Sequence, residues 1–139
     1  MIILWGIVAL VFGVAIYFSF QPKQCLNYEC FRDNMVSCSK AKYVNEEPEA
    51  SWGYEVVGFK GKDCEVKVSL LMAKKGELDL LKFEGDSMSC SYPKGIAGYP
   101  DRDLSLCTGR LKEDLQRRII EKLQEYIIDN LGEIKNKTS

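Results

Sequence analysis

The chain has 139 residues, 46% of them hydrophobic and 28% charged, and its nineteen basic and twenty acidic residues leave a net charge of −1. That balance gives no footing for nucleic acid or an anionic lipid surface. The complete lack of histidine excludes Ser–His and Cys–His nucleophile pairs and the commonest nitrogen ligand for metals.

Residues 2–20, IILWGIVALVFGVAIYFSF, carry no charge. As a helix they would reach ~28 Å, close to the ~30 Å hydrocarbon thickness of a bilayer, so residues 1–20 are read as a transmembrane anchor. Trp5 near one end and Tyr17, Phe18 and Phe20 near the other suit headgroup depth, and Pro22 stops the helix. With no basic leader, A-x-A site or lipidation cysteine, a retained anchor is expected rather than a cleaved signal. Gly6, Ala9 and Gly13 offer a face on which copies of the helix could associate, although glycine is common in membrane helices and that plainer reading is preferred. Lys23 and Arg32 point the following domain inward. Six cysteines point it outward, because disulfides persist in oxidising compartments. The cysteines outweigh two basic residues, so the expectation is a single-pass protein of the cell membrane with its domain on the extracytoplasmic side.

Residues 21–24 read as a linker, and residues 25–132 as one cysteine-rich α+β domain with a modest core. Asn27 is placed to cap a short helix over 28–38, with Cys30, Phe31, Met35 and Cys38 on its inner face. An edge strand over about 41–46 and a polar loop follow. Trp52, Tyr54 and Val56 alternate along one strand, and Cys64, Val66, Val68, Leu70 and Met72 along the next. Lys60-Gly61-Lys62-Asp63 is the turn between them. LDLLKF (78–83) reads as a third strand and SMSCSY (87–92), with Met88, Cys90 and Tyr92 inward, as a fourth. These strands form an antiparallel meander of about four. After the loop PKGIAGYP (93–100) and a helical turn around Asp101–Cys107, Thr108 is placed to cap a long helix. Leu111, Leu115, Ile119, Leu123, Ile127 and Leu131 recur along it, Glu113–Arg117 and Asp114–Arg118 pair on its outer face, and Gly132 ends it. This helix is expected to pack on the sheet, with residues 133–139 as a flexible tail.

Six cysteines allow fifteen pairings. The expected set is Cys25–Cys30 within the first loop, Cys38–Cys64 tying helix to hairpin, and Cys90–Cys107 clasping the loop before the long helix. The spacings C-x4-C and C-x7-C lack the C-x-x-C pairs of zinc sites and of thioredoxin-like centres. Bracing is therefore preferred, with no metal and no cofactor.

The run Cys25-x4-Cys30-Phe31-x6-Cys38, then Trp52-Gly-Tyr-Glu-Val-Val-Gly, Gly61-Lys-Asp-Cys64, Asp86-Ser-Met-Ser-Cys90 and Leu106-Cys107-Thr-Gly-Arg-Leu111, resembles a loose group of small archaeal envelope proteins. Those proteins carry an N-terminal anchor or lipoprotein signal before a cysteine-framed domain of unknown function. The resemblance covers roughly residues 25–115. It implies an extracytoplasmic place and assigns no activity.

Glu84, Asp86, Asp101 and Asp103 lack the spacing of a calcium loop and read as turn and helix-start acids. Trp52 and Tyr54, with Tyr99, are the candidates for a contact surface, although aromatics at strand period are more often core. Asn136-Lys137-Thr138 is an N-x-T sequon. No catalytic motif is present, so the expected role is a binding or structural module of the cell envelope. Its partners are lipid through the N-terminal helix and an envelope protein or glycan, without nucleic acid. A pilin-like filament subunit is the rival, and an enzyme without histidine chemistry the remote third.

Overall fold

In the computed structural model, which describes residues 2–19, 21–100 and 103–137, an apolar helix α1 (Ile2–Ser19) precedes one α+β domain. Its elements are β1 (Lys23–Cys25), α2 (Tyr28–Ser37), β2 (Ala41–Glu46), β3 (Ala50–Lys60), β4 (Asp63–Ala73), α3 (Leu78–Leu81), β5 (Ser87–Pro93), β6 (Cys107–Thr108) and α4 (Arg110–Lys137).

Helix α1 corrects the expected membrane span. Among the described residues no helix is long and apolar enough to cross a membrane. The described helical run is Ile2–Ser19, 18 residues.

Helix α2 forms as its cap residue dictates. The Asn27 side chain accepts from the Cys30 amide at 2.9 Å. At the other end Cys38 turns left-handed (φ 53°), and its N–H closes back on Asn34 and Met35. Phe31 and Met35 face inward and are fully buried.

The sheet has six strands in the order β1-β2-β3-β4-β5-β6, which corrects the four-stranded antiparallel meander in three places. Residues 23–25, read as linker and first cysteine, form β1 and pair parallel with β2. The connection between them carries α2, as a parallel crossover requires, so the sheet is mixed. The segment LDLLKF is no strand: residues 78–81 coil into α3, burying Leu80 and Phe83 three apart, and β4 pairs directly with β5. Finally Cys107 and Thr108, expected in a helical turn and at a cap, pair with Cys90 and Ser89 as the edge strand β6. Asp101 of that expected turn lies outside the described residues, as do Phe20 and Thr138.

Two irregularities in the β3–β4 pairing set which side chains point inward. Leu71 has no register partner, so the buried series Cys64, Val66, Val68, Leu70 resumes at Ala73, and Met72 stands 52% exposed where strict alternation would bury it. Val57 is the extra residue opposite, beside Gly58 (φ 131°). The core lies between one face of the sheet and α2, α3, Ala97 and Leu104 of the segments before β6, and the start of α4.

The six cysteines form Cys25–Cys30, Cys38–Cys64 and Cys90–Cys107, the expected set. Helix α4 departs from expectation. It starts after Gly109, which has a φ of 120° and where a Cβ would lie 3.2 Å from the Ser87 carbonyl oxygen, and it continues through Gly132 to Lys137. Only its first turns pack on the sheet. Leu111 is fully buried and Leu115 partly so, while Ile119, Leu123, Ile127 and Leu131 are exposed.

Candidate binding surface

Of the three aromatic residues proposed for contact, Trp52 (8% exposed) and Tyr54 (2%) belong to the core. Their strand period put them on the packed face, between the sheet and α2 and α4. Tyr99 alone is at the surface, 49% exposed. Its ring stacks on Tyr28 with centroids 4.9 Å apart, and the Tyr28 hydroxyl donates to the Gly98 carbonyl at 2.9 Å. Tyr28 also meets Phe31 and Tyr43, and Tyr43 stacks on Tyr54, so Tyr99 is the outermost ring of an aromatic column running into the core. Beside it Ile96 is half exposed. The structure does not bring Tyr99 together with Trp52.

Trp52 instead floors a cleft of about 190 Å³ where α4 lifts off the sheet, walled by Met88, Leu104, Leu115 and Ile119, with Arg118 and Lys122 at its rim. The buried Trp52 Nε1–H and Arg118 Nε–H have no acceptor among the described residues. Arg118 does not pair with Asp114 as expected. Its Nη2 donates to Glu77 at 2.7 Å and its Nη1 lies 3.7 Å from Glu49. Asp114 is buried and sits 3.7 Å from Arg110 and 3.6 Å from Arg117.

The uncovered face of the sheet holds a feature that the sequence reading passed over. Gln24, Lys42, Glu55, Lys67, Ser89 and Thr108 are successive register partners from β1 to β6, one polar row crossing every strand. They occupy the alternate positions between the buried residues, and that alternation was the signal available for finding them. Lys42 lies 3.3 Å from Glu55. Ser89 donates to Glu65 at 2.5 Å, and Lys60 lies 3.4 Å from the same oxygen. The Ser89 hydrogen bond, followed by Lys60, holds the Glu65 carboxyl below its ordinary value. Ser51 and Lys74 do the same to Glu46. Two shallow hollows on this face, about 420 and 230 Å³, share Lys67. The flatness and mixed charge suit a polar macromolecular surface better than a small enclosed substrate.

The acids read as turn and helix-start residues, Glu84, Asp86 and Asp103, make separate local contacts. Glu84 accepts from the Ala73 amide at 2.6 Å, Asp86 lies 3.6 Å from Arg110, and Asp103 accepts from the Ser105 amide at 2.9 Å. The Asp103 carboxyl is lowered by its bonds to Ser105. Asp101 lies outside the described residues. All six cysteines are paired, leaving no thiolate to serve as ligand or nucleophile.

On α1 a Cβ at Gly6 or Gly13 would meet no atom within 4 Å, and Gly13 borders an open hollow that it shares with Tyr17, Gln24 and Lys42; the Ala9 side chain lies outside the described residues. No family model, curated protein or solved structure matches the chain.

Proposed function

We propose that this protein is a non-catalytic binding or structural module of a cell envelope, attached to lipid through α1, with its disulfide-braced domain on the extracytoplasmic side. The reading rests on α1. Trp5, Leu10, Val11, Phe12 and Tyr17, spread around the whole helix, are each at least 60% exposed. A helix apolar on every side needs an apolar surround, and lipid is the available one; attachment, not a crossing, is what the reading requires. Three disulfides support an oxidising compartment, and the likeness of the cysteine-framed motifs to archaeal envelope proteins points the same way. The polar row on the open face is the surface offered to an envelope protein or glycan.

Flotation with phosphatidylcholine vesicles tests the attachment. The full chain is expected to rise with the vesicles, and a Val11→Asp/Phe12→Asp variant to stay behind. A wild-type chain that remains monodisperse in the dense fraction without detergent would overturn the proposal. The compartment is tested by alkylating native membrane material before and after reduction: three intact bridges are expected, and six reactive thiols would place the domain on the reducing side. The open positions beside Gly6 and Gly13 favour a second reading, a filament with α1 packed in its spine. Ordered fibres containing the chain under negative stain would establish that reading instead.

A further inference from the structure

The distal part of α4 has a second apolar side that the domain does not use. At 100° per residue, Leu111, Asp114, Leu115 and Arg118 fall together toward the sheet, and all four are wholly or largely buried. Continued outward, that side carries Lys122, Glu125 and Asp129, so the core stripe ends by design of the sequence. Ile119, Ile120, Leu123, Ile127 and Leu131 form a separate stripe rotated by roughly 150° from the first, and each is 47–59% exposed.

We propose that this stripe is a self-association surface, on which α4 of one copy packs against α4 of a second. The five side chains, each about half exposed, give two paired copies on the order of 1,000 Å² in total, the area that a specific interface should clear. The spacing of three and four residues is the one that lets two helices interlock. Asn130 lies toward one edge of the stripe by the same geometry, its amide donating to the Tyr126 carbonyl at 2.7 Å, and a polar side chain there fits a helical partner better than hydrocarbon. Charge agrees. Residues 110–137 hold seven basic and six acidic side chains, so anionic lipid or nucleic acid finds no attraction there, and a like helix meets no net repulsion. The surface stands on α4 alone and does not depend on attachment through α1.

The test uses the full chain in a neutral detergent. Sedimentation equilibrium at micromolar concentration is expected to give a dimer, and a photo-crosslinking residue at position 123 a product of twice the chain mass. Ile127→Lys and Leu123→Glu, both at exposed positions, are each expected to weaken the dimer by about tenfold or more, with circular dichroism and the three disulfides unchanged. Gly13→Ile in α1 is expected to leave it intact. A monomeric wild type would overturn the proposal. So would a dimer that survives both stripe variants, one that only Gly13→Ile dissociates, or a monomer whose vesicle binding falls with Ile127→Lys.

Discussion

Leu115 and Ile119 stand one turn apart on α4, yet the sheet packs against Leu115 and leaves Ile119 59% exposed. The division between them separates the part of the helix that holds the domain together from the part that does not. Leu111→Ala is expected to lower the unfolding free energy by about 3 kcal/mol through lost burial and the cavity left behind. Leu123→Ala is expected to change the dilute monomer by no more than about 0.5 kcal/mol. Guanidinium unfolding of both variants checks the contrast, and equal losses would mean that the sheet reaches farther along α4.

The three disulfides close loops of different length, and their contributions should rank accordingly. Sequence separations of 26, 17 and 5 for Cys38–Cys64, Cys90–Cys107 and Cys25–Cys30 correspond to about 3.5, 3 and 2 kcal/mol of loop-closure entropy. Paired Cys→Ala variants, compared by denaturant midpoint, are expected to fall in that order. The buried Cys38–Cys64 and Cys90–Cys107 positions add packing losses in the same direction.

Glu65 couples stability to pH. Its folded carboxyl is held below the ordinary value of 4.5 by Ser89 and then Lys60. Its contribution is therefore complete above that value and lost as pH falls through the folded one. Ser89→Ala removes the larger cause, so the Glu65 carboxyl should titrate at higher pH in a carbon-detected NMR titration. The acid-unfolding midpoint should move upward with it.

Gly98 is needed for space rather than for its backbone angles. A Cβ there would lie 2.0 Å from the buried Tyr92 ring, while its own amide donates to the Met35 sulfur at 3.3 Å. Gly98→Ala should cost about 1–3 kcal/mol, the usual range for overpacking. It should also displace Tyr99 from Tyr28, visible as a loss of near-ultraviolet dichroism while far-ultraviolet signal is retained.

Much of the domain was legible because local chemistry and burial agree. The side chain of Asn27 caps α2, Gly61 (φ 68°) turns the β3–β4 hairpin, and the alternation from Cys64 to Leu70 marks the inward face. The missed strands are edges of two and three residues, too short for any period to register. LDLLKF was misread because Leu80 and Phe83 satisfy a helical i, i+3 spacing, while the leucines alone mimic strand alternation. For α4, a four-residue repeat looked like one stripe. Four residues advance 400°, so over five repeats the stripe winds to the other side of the helix, and only its first two members meet the sheet. The burial of Trp52 and Tyr54 escaped notice for a related reason. The same alternation that drew attention to Trp52 and Tyr54 buries them, and the row that faces outward has no aromatic residue to advertise it.

The disulfides join first cysteine to second, third to fourth and fifth to sixth along the chain, and each strand hydrogen-bonds only to strands adjacent to it in sequence. A chain crossing a membrane from its N-terminus would thus present every cysteine pair, and every strand pair, in the order in which they must join. Oxidation of each newly emerged pair before the next appears yields the native set directly. Vectorial delivery leaves no interlaced bridge to unpick, so maturation by this route has no need of a disulfide isomerase, whereas the same chain released fully reduced must choose among all fifteen pairings.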